Sequence, residues 1–153
     1  MKNDNKLIEA LNDLVRINND RITGYERAAD FTKSSDADLT ALFKRMADES
    51  RTYKSELEQQ VGMLGGKIAT DTTASGKIYR AWMSLKNVFT GSDRKSILAS
   101  CEYGEDAAQN AYEDALKSDA EMDRPTRQLV LSQQTSLKNS HDIIKRYRDM
   151  QPA

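Results

Sequence analysis

Among side chains able to hold metals or move protons, this 153-residue sequence has one histidine (His141), one cysteine (Cys101) and 24 carboxylates. Carboxylate-rich metal centres inside helical bundles take one Glu from each of two helices and a Glu-x-x-His pair from each of the other two. The i, i+3 spacing sets carboxylate and imidazole on one helix face, both turned inward. With a single histidine that full set cannot be assembled. Three residues after Glu49 stands Thr52, and three before His141 stands Lys138, so each pair lacks one member. What is retained is a partial constellation of Asp20, Glu49, Glu102, Glu105 and His141. Carboxylate oxygens and one imidazole suit a single divalent metal ion (Fe, Mn or Zn) held by three or four ligands and water. The competing expectation is structural. Glu49 and Glu105 then occupy seam positions, neutralised by Lys138 or by hydrogen bonds from Tyr53 and Tyr112, in a polar layer of the kind that fixes register. Cys101 lies on an apolar face, with Glu102 beside it to disfavour a thiolate, and reads as packing. No catalytic or cofactor-binding residue is assigned.

Helices must carry these positions. Seven glycines and two prolines leave few breaks, and a chain so poor in breakers suits long amphipathic helices better than a sheet. From Leu7 to about Phe31, Ile8, Leu11, Val15, Ile22, Tyr25 and Ala29 recur at helical spacing, with Asn18 as the one polar seam position. Ser35 with Asp38 resembles a capping box opening a second helix. That helix carries Leu39, Leu42, Phe43, Met46, Tyr53, Leu57 and Val61, and stops at Gly65-Gly66, where glycine can form a left-handed cap. Ile97, Leu98, Cys101, Ala108 and Tyr112 mark a third helix. Pro125 suits the first turn of a fourth, with Val130, Leu137 and Ile144 inside. The predicted helices are about 7–31, 36–64, 94–117 and 125–149, in one domain over 1–153.

Residues 65–92 form the connector between the second and third helices, with a short amphipathic helix bearing Tyr79, Trp82 and Phe89. A connector that long can run the length of a bundle, leaving the helices it joins parallel. The fold class is therefore all-α: a four-helix bundle with one long crossover, as in ferritin-like proteins. Counting rises from turns centred near 34 and 121 places Glu49 level with about residue 19, facing Asn18, Asn19 and Asp20. The same count sets His141 opposite Cys101 and Glu102, with Glu105 about one turn away.

Three stretches carry a resemblance: Gly24-Tyr25-Glu26-Arg27-Ala28-Ala29-Asp30, the Thr/Ser-rich segment from Ala69 to Gly76 followed by Arg80-Ala81-Trp82-Met83-Ser84-Leu85-Lys86, and Cys101-Glu102-Tyr103-Gly104-Glu105-Asp106-Ala107-Ala108. They are similar to a bacterial four-helix-bundle family of unknown function in the ferritin-like, rubrerythrin-related superfamily. The resemblance implies that fold and a bacterial, cytoplasmic setting, and it implies no activity.

With 23 basic and 24 acidic side chains the formal charge is −1, unlike the basic excess of a nucleic-acid binder. No apolar run approaches the roughly 18 residues of a membrane span, and no secretory signal is visible at the start. One cysteine suits a reducing cytosol. The composite expectation is a non-catalytic binding or structural protein with a degenerate di-iron site, without nucleic-acid or membrane partners, and with a homodimer as the default assembly. The alternatives are a metal-binding protein with weak ferroxidase or stress-related activity, and an adaptor presenting an outer helix face or Trp82 to an unidentified protein.

Overall fold

The computed structural model describes residues 4–32, 36–71, 94–118 and 120–151. Four helices carry them: α1 (Asp4–Thr32), α2 (Ala37–Met63), α3 (Arg94–Lys117) and α4 (Arg124–Asp149). No strand occurs among the described residues, and each helix bound falls within three residues of the one read from periodicity. The expected short helix with Tyr79, Trp82 and Phe89 lies outside the described residues, as does Ser35. The N-cap of α2 is Asp36, and its side chain makes no capping bond. It pairs with Arg94 instead.

That pairing reveals the topology. Arg94, the first residue of α3, also reaches Asp38 in the first turn of α2, with Nη2 3.2 Å from Oδ2. The two helices therefore start at the same end and run parallel. At the other end the Thr126 hydroxyl of α4 meets Gln60 of α2 at 3.3 Å, so α4 runs against α2. Asn12 of α1 binds the chain just after α2 from both sides of its amide, donating to the Lys67 carbonyl at 2.8 Å and accepting from Ala69 N–H at 2.9 Å. One and two turns along the same helix, Arg16 and Asn19 hold the Asp71 carboxylate and carbonyl, each at 2.8 Å. Residues 67–71 are thus clasped along α1, in the direction of the α3 start.

Local chemistry fixes the ends. Gly65 adopts φ +76°, its N–H bonds to Gly62 O at 3.0 Å, and Gly66 N–H bonds to Val61 O at 3.0 Å. This is the paired C-terminal cap that glycine makes at low cost. A Cβ on Gly66 would stand 2.7 Å from Ile8 Cγ2, so the turn packs directly on α1. At the start of α4 the Asp123 carboxylate accepts from Thr126 N–H at 2.9 Å, and Pro125 sits in the first turn.

The core is filled from all four helices by Leu11, Val15, Tyr25, Phe43, Met46, Leu57, Leu98, Cys101, Tyr112, Val130, Leu137 and Ile144. Tyr25 stacks on Phe43 with ring centroids 5.8 Å apart. The apolar stripe of α1 is corrected in one respect. Asn18 is not the only polar residue inside, since Asn12, Asp20 and Arg21 are buried too, while Ile22 remains partly exposed. Among the described residues no helix is long and apolar enough to cross a membrane.

Replacing Gly65 by Ala forces a Cβ into the left-handed region and should cost about 1 kcal/mol, lowering the melting temperature by roughly 2–4 °C. Hydrogen bonding to Arg94 holds the Asp38 carboxyl below the usual carboxylate range. A depressed carboxylate stabilises above its unfolded pKa, and that contribution is lost as pH falls through the folded value. The melting-temperature gap between wild type and Arg94→Ala should therefore narrow between neutral pH and about pH 3; a gap that widens with acid would refute the pairing.

Candidate functional site

One layer of the bundle is built around a single side chain of α1, Arg21. Arg21 is fully buried, and so is Glu105 of α3 facing it. The pair is bidentate, Nε to Oε1 at 2.7 Å and Nη2 to Oε2 at 2.9 Å. From α2, Met46, Glu49 and Ser50 share a face because they are three and four residues apart. Arg21 Nη1 donates to the Met46 carbonyl at 3.1 Å and to Ser50 Oγ at 2.8 Å, and Nη2 also lies 3.4 Å from Glu49 Oε1. Ser140 of α4 donates to the same Glu49 oxygen at 2.7 Å. The guanidinium carbon sits 5.1 Å from the Tyr25 ring centroid, over the electron-rich face. An arginine has five N–H donors, and here each has an acceptor.

Burial disfavours the charge of Arg21, but the attraction of Glu105 outweighs it and holds the guanidinium pKa above the usual arginine value. Burial first, and Glu105 second, push the Cys101 thiol up. Cys101 is therefore an inert packing group, with Glu105 rather than the expected Glu102 as the carboxylate acting on it. Burial likewise drives Tyr25 and Tyr112 well above the ordinary phenol value.

A second polar layer lies one to two turns away. Tyr112 donates its hydroxyl to Gln133 Oε1 at 2.6 Å and accepts from Asn18 Nδ2 at 2.9 Å. Gln133 Nε2 in turn donates to the Tyr53 carbonyl and to Glu56 Oε1, each at 3.1 Å. All four helices contribute to it. Tyr112 is thus spent on this layer rather than on a glutamate, and the Tyr53 hydroxyl pairs with Ser136. Lys138, the expected neutraliser, is 68% exposed and lies 3.8 Å from Asp142. Both corrections have one cause: Arg21 already satisfies the two glutamates.

The five residues singled out from sequence fall into separate places. Glu49 and Glu105 are joined through Arg21. Glu102 and His141 meet at the partly exposed rim between α3 and α4, with His141 Nε2 3.6 Å from Glu102 and 2.7 Å from Asp106, and Nδ1 3.2 Å from Asp142. Arg148 also grips Glu102. Asp20 is buried on α1. Among the described residues no three His, Cys, Asp or Glu side chains gather as a metal ion would require. A carboxylate di-iron centre does not fit this layer, because its interior carboxylates already bind an internal cation. Sequence reasoning missed Arg21 and Asp106. The register arithmetic came within one or two residues of Arg21, and an arginine level with two seam glutamates was the available signal.

Residues 6–118 match the family described as a domain of unknown function, DUF2383. The chain belongs to this family. The matched span covers α1 from Lys6 onward, α2 and α3, hence Arg21, Glu49 and Glu105, and leaves α4 with Ser140 and His141 outside it. No curated protein matches the chain.

Breaking one partner of a buried ion pair costs about 3–5 kcal/mol, whereas replacing both by apolar groups is close to neutral. Arg21→Met alone should therefore lower the melting temperature by roughly 6–20 °C. Adding Glu105→Leu should recover most of that loss. Urea denaturation of both singles and the double tests this, and additive losses would refute the coupling.

Proposed function

We propose that this protein is a non-catalytic structural or binding protein of the bacterial cytoplasm, a ferritin-like bundle whose di-iron site is degenerate. The observation that carries this reading is the saturated, fully buried Arg21 guanidinium between Glu49 and Glu105. Parallel α2 and α3, together with the Gly24–Asp30, Ala69–Lys86 and Cys101–Ala108 stretches, support the ferritin-like assignment. Three interior groups support the non-catalytic reading: burial pushes the Cys101 thiol and the Tyr25 and Tyr112 phenols towards their protonated forms. In this reading the interior sets the helix register and the protein works through its outer surface.

The test is elemental analysis of anaerobically purified protein, followed by Fe²⁺, Mn²⁺ and Zn²⁺ titration under melting and a ferroxidase assay. No stoichiometric metal, no thermal shift and no Fe²⁺ oxidation above buffer are expected. About one ion per chain, lost in His141→Ala, would overturn the reading, because a ligand that binds only the folded state must raise its stability.

A further inference from the structure

Arg21 does more than neutralise a buried glutamate. Its Nη2 lies 2.9 Å from Glu105 Oε2, 3.4 Å from Glu49 Oε1 and 3.6 Å from Met46 Sδ. Its Nη1 reaches Ser50 Oγ and the Met46 carbonyl, and Ser140 Oγ stands behind the same Glu49 oxygen. One positively charged point thus collects carboxylate, hydroxyl and carbonyl oxygens from α2 and α3, with α4 one hydrogen bond further out. This oxygen-rich set is what a hard divalent cation takes. We infer that the Arg21 guanidinium is the resident cation of this bundle, standing where a divalent ion would bind and excluding it, and that its removal opens a divalent-cation site on Glu49 and Glu105.

The exclusion is both steric and electrostatic. Arg21 is completely enclosed, so a metal ion among these oxygens would have to share their space with the guanidinium. It would also face that fixed positive charge at contact distance where little water screens it. With Arg21 present the two carboxylates need one more positive charge at most, and Glu49, whose side chain is 25% exposed, meets that need from solvent. With Arg21 cut back to Ala, two negative charges remain around a vacated volume that water can enter. Their oxygens lie within 3.4 Å of the former Nη2 position. A shift of about 1 Å brings them to metal–oxygen bonding distance. The rim group of His141, Glu102 and Asp106 is no rival, because Arg148 already holds Glu102.

This inference rests on the reading that the wild-type interior holds no metal, and the experiment separates the two. Wild type, Arg21→Lys, Arg21→Ala and Arg21→Ala/Glu105→Gln are each melted in chelator and then in MnCl₂ or ZnCl₂. Bound ions are counted by equilibrium dialysis, and the Mn²⁺ signal is followed by electron paramagnetic resonance. Arg21→Ala should bind about one ion per chain, at least about tenfold more tightly than wild type, and regain melting temperature in proportion. Arg21→Lys, which keeps the charge, and the Glu105→Gln double variant should do neither. If Arg21→Ala is unfolded in chelator, return of its helical circular dichroism with Mn²⁺ supports the inference, and no return overturns it. A folded Arg21→Ala that binds no ion, or whose gain survives Glu105→Gln, also overturns it. Stoichiometric binding by wild type would instead overturn the earlier reading.

Discussion

A guanidinium inside a helical bundle persists only if a counter-charge lies against it and every N–H finds an acceptor, since desolvating the ion otherwise costs more than packing returns. In this protein that condition is met by Glu105, Glu49, Ser50 and the Met46 carbonyl. The acceptors come from two different helices, and Ser140 of a third helix holds Glu49. A one-residue slip of α1 would turn Arg21 away from Glu105 and strand a buried carboxylate. A pair of this kind is suited to fixing helix register, the best-attested use of buried polar groups.

The remaining polar contacts extend the same constraint along the bundle. The Asn18–Tyr112–Gln133 chain ties α1, α3 and α4 together one to two turns from Arg21 and reaches α2 through the Tyr53 carbonyl. At one end Arg94 joins the starts of α3 and α2. At the other, the Gly65 cap turns the chain onto Ile8, and Asn12, Arg16 and Asn19 carry it along α1. Asn12, Arg16 and Asn19 stand at i, i+4 and i+7 and so share one helix face.

The interior formed by the described residues contains titratable groups governed by burial and by their partners. Its thiol and phenols are pushed towards their protonated forms by burial, and Glu105, Glu49 and Glu56 are engaged by arginine, serine and glutamine donors. Membership of the DUF2383 family assigns no activity. Arg21, Glu49 and Glu105 all lie within the matched residues 6–118.

By itself, the sequence determined the helices and their ends: four apolar stripes of period 3.6, Gly65-Gly66 as a stop and Pro125 as a start. These are local effects, set by each segment's own backbone preferences and apolar spacing. Rises counted from the turns also brought His141 level with Glu102 and placed Glu49 within two residues of its true partner, because helix rise is constant. Which side chain turned inward at each level was decided by the tertiary structure. Periodicity assigns apolar residues to the core and so favoured Ile22 over Arg21 and left Lys138 as the nearest cation. Only the assembled bundle, with Glu105 across from α1 and Glu49 beside it, supplies enough acceptors to hold a charge there. Burial of an ion depends on partners distant in sequence, 84 residues away for Glu105, and no local pattern encodes that balance.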